Sequence, residues 1–95
     1  MNPEIYKELV REHNPIEEII GEDAKLHGNG RALVALCPFH HDHKPSLSID
    51  PQKGLFHCFG CGVGGDVFSY VMLQRNIPFP QAVDVLADLA HLERP

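Results

Sequence analysis

Two short stretches carry the residues best suited to chemistry, Cys37-Pro-Phe-His40 and Cys58-Phe-Gly-Cys61. Each sets two electron-rich donors two residues apart, and 17 residues separate the pairs. Cysteine thiolates and a neutral imidazole are zinc ligands, and a two-residue gap lets one tight turn aim both side chains at one ion. Two such turns complete a tetrahedron and leave no open position for a reactive water. The spacing therefore predicts a single structural zinc held by Cys37, His40, Cys58 and Cys61. Gly60 and Gly62 flank Cys61, where the chain must curl so that N–H groups can face the thiolates.

Other chemistries compete for the same residues. Cys58 and Cys61 have the spacing of a redox pair, but such a pair opens a helix after a βαβ strand, and here a hairpin precedes it. Gly62 to Gly65 could form a phosphate loop, but no Gly-Lys-Ser/Thr ending follows. Three cysteines are an odd number, so the chain cannot pair them all internally. His41 and His43 lack the ligand spacing and read as loop residues. His57, next to Cys58 on a strand, should point to the opposite face. His13, His27 and His91 carry no signal above that of surface residues.

The elements that must position these residues can be read from punctuation and periodicity. Asn2-Pro3 opens a helix, with Asn as cap and Pro at the first helical position. Asn14-Pro15 repeats that grammar, with Glu17 completing a capping box, and Gly21 can end the second helix. Asn29-Gly30 signals a hairpin turn, since both residues tolerate positive φ. Arg31 to Leu36 reads as a largely buried strand, Leu47 and Ile49 alternate with serines in a second, and Leu55 to Cys58 form a third. Asp66 caps an apolar helix that ends before Asn76, Pro78 and Pro80. Phe79, Ala82, Val83, Leu86, Leu89 and Ala90 recur at helical spacing. The order is helix, helix, sheet, helix, helix: an α+β fold, with a small antiparallel ribbon flanked by N-terminal and C-terminal helices. One domain over 1–95 is expected, with helices at about 3–21 and 66–92 around a ribbon at about 23–63.

The totals set bounds. A chain of 95 residues with 43% hydrophobic content is no disordered tail. No apolar run approaches the roughly 20 residues that span a bilayer. The opening "MNPEIYKELV" lacks the pattern of a signal peptide. A cytoplasmic location without a membrane partner is expected. The net charge of −5 argues against a generic nucleic-acid binder, which carries a basic surplus.

Taken together, "CPFHHDHKPSLSI" and "FHCFGCGVGGDVFSYV" resemble the N-terminal zinc-binding domain of bacterial DnaG-type primases. "NPIEEIIGEDAKL" is similar to the family's helix before the ribbon, and "IPFPQAVDVLADLAHL" to its closing helix. The resemblance implies a zinc ribbon that engages single-stranded template DNA. It further implies a role in RNA primer synthesis during DNA replication, helping to choose where a primer starts. A separate primase catalytic domain, a nucleotidyltransferase, would work beside it in the same or another chain. Either the N-terminal part of a longer primase or a stand-alone relative is expected, with no catalytic residue in these 95 positions. The chain departs from the family in its sparse basic residues before the ribbon, Lys25 and Arg31, and in Ala32 and Leu33, where an aromatic is common.

A template path can still be sketched. Glu4, Glu8, Glu12, Glu17, Glu18, Asp84 and Asp88 acidify the helices, whereas Lys25, Arg31, Lys44 and Lys53 fall on the sheet or its loops. Those four cations and His57 are the expected DNA contacts. Phe39 and Phe59 would either stack on bases or pack beneath the knuckles. The rival reading is a zinc-stabilised protein-interaction module that binds no nucleic acid.

Overall fold

The computed structural model describes residues 2–41 and 43–94. Helix α1 spans Pro3–Glu12 and α2 spans Ile16–Gly21. Five strands follow: β1 (His27–Asn29), β2 (Ala32–Ala35), β3 (Leu47–Asp50), β4 (Leu55–Cys58) and β5 (Gly64–Gly65). Helices α3 (Val67–Arg75) and α4 (Phe79–Leu89) close the chain. No helix among the described residues is long and apolar enough to cross a membrane.

The strands lie side by side in chain order, each antiparallel to the next. This meander fixes which connections share an end. The β1–β2 and β3–β4 turns lie at one end of the sheet. The β2–β3 and β4–β5 connections, which contain the two cysteine knuckles, lie at the other.

Register sorts the side chains into two faces. Leu33, Ile49, Phe56 and Gly65 are opposed across the strands, as are Ala35, Leu47 and Cys58. These rows face the helices, and Tyr70 of α3 meets Phe56 edge-on at 5.6 Å. The alternate row, His27, Val34, Ser48, His57 and Gly64, crosses all five strands on the other side. No helix among the described residues covers that open face, where His27, Val34, His57 and Gly64 are exposed.

The helices are held by named caps. Asn2 Oδ1 accepts from Glu4 N–H at 2.8 Å, and Asp66 Oδ1 accepts from Ser69 N–H at 3.0 Å, as the sequence predicts. Asn76 takes the left-handed conformation that ends α3, at φ 53°. Phe68 packs on Phe79 at 5.2 Å, joining α3 to α4.

Three expectations need correction. Asn14 does not cap α2, whose first turn has Pro15 at the cap position and no side-chain cap bond. Instead Asn14 is buried, and its Nδ2 donates to Val10 O at 2.8 Å and Leu86 O at 2.9 Å. It therefore ties the end of α1 to α4. The hairpin turn lies at Gly30-Arg31, and neither Asn29 nor Gly30 has positive φ. Asn29 Oδ1 shapes this turn by accepting from the N–H groups of Arg31 and Ala32 at 3.0 and 3.3 Å. Last, β2 is not largely buried: only Ala35 is, while Ala32, Val34 and Leu36 are exposed. The run is apolar on both faces, but only one face meets the helices.

Candidate metal centre and open sheet face

The first knuckle leaves β2 at Cys37, and Phe39 N–H approaches Cys37 Sγ at 3.4 Å. The second leaves β4 at Cys58, whose Sγ receives Gly60 N–H at 3.3 Å and Cys61 N–H at 3.4 Å. Both turns thus point backbone donors at a sulfur, the arrangement that supports a metal-bound thiolate. Gly62 follows at φ +84°, and its N–H closes the turn on Cys58 O at 2.9 Å.

The two knuckles meet. One ligand atom each from Cys37, His40, Cys58 and Cys61 lies within 4.8 Å of the other three. Cys37 Sγ is 3.9 Å from Cys61 Sγ, and Cys58 Sγ is 3.8 Å from His40 Nδ1. A tetrahedron with metal–ligand bonds of about 2.0–2.3 Å has edges of roughly 3.4–3.8 Å, so this donor set fits zinc with little adjustment. It does not fit a disulfide, which needs sulfurs about 2.05 Å apart. His41 and His43 stay outside the cluster, exposed and packed edge-on against each other at 4.5 Å.

Gly60 makes room for the histidine. A Cβ there would sit 2.7 Å from His40 Nε2 and 3.0 Å from Ser46 Oγ. The rival phosphate loop has no free glycines to use, because Gly64 and Gly65 pair with His57 and Phe56 as the edge strand β5.

The thiols are not equivalent. Burial pushes the Cys37 thiol up to about 12. Burial also opposes ionisation of Cys58, but the Ser46 hydroxyl and the Cys61 and Gly60 N–H groups outweigh it and bring that thiol down to about 6. The Ser46 hydroxyl and the knuckle N–H groups thus favour a thiolate at Cys58, while burial disfavours one at Cys37.

On the open face, Phe59 is 77% exposed and meets His57 edge-on at 4.6 Å. Phe39 is instead half-buried against Tyr70 at 5.3 Å. The two phenylalanines thus split between the alternatives, one on the open face and one beneath the knuckle. Val34, Leu36 and Leu55 are also exposed on this side of the ribbon. His27 joins them through its pairing with Val34, a neighbour that strand register reveals and local sequence does not.

Seven of the eight cations divide by position and by pairing; the eighth, Arg75 on α3, makes no ion pair among the described residues. Lys7 pairs with Glu4, Arg11 with Glu8 and Asp66, and Arg94 with Asp84 and Asp88. Lys25, Arg31, Lys44 and Lys53 make no ion pair among the described residues. Residues 23–63 hold four cations and three acids, whereas the rest of the chain holds four cations and ten acids. Chain order places Lys25 and Lys44 at the knuckle end of the sheet, and Arg31 and Lys53 at the turn end.

This ribbon-and-helix fold with a Cys-His-Cys-Cys cluster defines a zinc-finger class. The family profile described as "CHC2 zinc finger" matches residues 1–95, and the chain belongs to that family, with one structural zinc. It is 44% identical over 91 residues to the DNA primase of Listeria monocytogenes, covering 96% of this chain and 14% of that protein. With the DNA primase of Geobacillus stearothermophilus it shares 43% identity over 91 residues, covering 96% of this chain and 15% of that protein. Among solved structures, the Aquifex aeolicus primase (zinc binding and RNA polymerase domains) matches with a TM-score of 0.85 and 34% identity, covering 95% of this chain and 22% of that chain. The chain therefore spans 14–15% of the length of the two primases compared in sequence.

Proposed function

We propose that the chain is a non-catalytic zinc-ribbon module that binds single-stranded template DNA during RNA primer synthesis, beside a primase catalytic domain in the same or another chain. Cys37, His40, Cys58 and Cys61 hold the zinc, which fixes both knuckles and so aligns β2, β3 and β4. The template crosses the open face. The observation that carries this reading is the row of exposed rings and apolar side chains there, on a sheet whose ends carry cations with no acidic partner among the described residues. Stacking on an aromatic contributes roughly 1–3 kcal/mol per base, and Phe59 with His57 offers that platform. From β1 to β4 the face spans three strand spacings, about 14 Å, enough for only a few nucleotides.

The test is fluorescence anisotropy with a short single strand at two salt concentrations. Each contacted phosphate contributes about −0.7 to the salt slope, so binding by so few cations is weak and fades at moderate salt. Lys44→Glu and Arg31→Glu each weaken binding without releasing zinc. Unchanged affinity and slope in both variants would remove the sheet as the template path. The exposed Val34, Leu36 and Leu55 would then favour a protein partner on the same face.

A further inference from the structure

A cavity of about 410 Å³ opens at the β1 edge of the sheet, beside Cys37, lined by Asp23, Lys25, His27, Leu36 and Pro38. Its walls are chemically distinct. Leu36 and Pro38 are apolar and exposed. Lys25 and His27 are exposed and have no partner among the described residues. Asp23 is the fixed group. Its Oδ2 accepts from Tyr70 Oη–H at 2.5 Å and from Gln74 Nε2 at 2.7 Å, while Oδ1 accepts no bond among the described residues. Burial, then the Asp23 bond and charge, push the Tyr70 phenol above its ordinary range, so it stays a donor to Asp23. Two donors on one oxygen hold the carboxylate in place and leave the other as an acceptor.

We propose that this cavity reads one base of the single strand: Leu36 and Pro38 take the face of the base, Asp23 Oδ1 accepts from an exocyclic amino group, and Lys25 with His27 take the flanking phosphate. The inference rests on the DNA-binding reading above and adds a base preference to it. Cytosine and adenine present an exocyclic amino group, and an acidic side chain accepts from cytosine N4. Thymine lacks that group, and its one donor on this edge, the ring N3–H, is flanked by two carbonyl oxygens that would sit against the carboxylate. Such a contact discriminates by roughly tenfold.

The test uses the zinc-loaded chain and labelled octamers of thymine, cytosine or adenine in fluorescence anisotropy at low salt. Cytosine and adenine octamers are expected to bind roughly tenfold tighter than thymine. In Asp23→Asn the amide oxygen can still accept from Tyr70, which turns the NH2 group into the cavity, and the preference falls or inverts toward thymine. Leu36→Glu, at an exposed position, removes the apolar wall and abolishes the preference while zinc stays bound. Binding of all three octamers within twofold by the unaltered chain overturns the base pocket but leaves the template path standing. So does full preference retained in both variants. No binding of any octamer overturns both.

Discussion

At the scale of single residues, the metal centre depends on which histidine turns inward. His40 presents Nδ1 to Cys58 Sγ at 3.8 Å, with Nε2 lying over Gly60. His40→Ala is expected to weaken zinc binding at least about tenfold in competition with a chromophoric chelator, while His41→Ala and His43→Ala leave it unchanged. Equal losses at His40 and His41 would overturn the ligand assignment. The four ligands were legible in the sequence because metal spacing is a local signal, written in two tetrapeptides. His27 was not legible. Its place on the open face comes from pairing with Val34, and nothing in "KLHGN" announces it.

At the scale of elements, Asn14 joins helices that are far apart in sequence. Its amide bonds Val10 O in α1 and Leu86 O, 72 residues away, in α4. Asn14→Ala leaves both carbonyls short of a buried donor, a loss of roughly 1–3 kcal/mol. The expected outcome is a lower midpoint in urea with zinc affinity unchanged, since the knuckles lie elsewhere. A midpoint equal to that of the unaltered chain would show that water replaces the amide. Here the sequence misled for a physical reason: Asn-Pro is the local grammar of a helix start, and the partners that override it are tertiary. The same limit applies to "RALVAL", where apolar content shows on both faces but not which face is covered. It applies also to Gly64-Gly65, an edge strand with no side chain to betray it. Asp66 and Asn2 were legible because a cap acts on its own first turn.

At the scale of the whole molecule, helices and ribbon draw on different sources of stability. The helices pack through Phe68 on Phe79 and through Asn14, while the knuckle end of the ribbon is gathered by the ion. Structural zinc contributes on the order of 10 kcal/mol of apparent binding energy. That is comparable to the full stability of a domain, roughly 5–15 kcal/mol. Cys58→Ser or a strong chelator is therefore expected to melt the ribbon while part of the helical circular dichroism persists. The His27 and His57 ring resonances should collapse toward unfolded positions. A metal-free protein with an unchanged melting temperature would contradict this.

The meander also determines the order in which the molecule can assemble. Every strand pairs with its neighbour in sequence, so each hairpin closes a short loop and little chain entropy opposes it. The bond from Asn14 to Leu86 closes nearly the whole chain at once. Rates fall as contacts span more sequence. The late step in folding is thus expected to be the meeting of α1 with α4, with the ribbon able to pair before α4 docks.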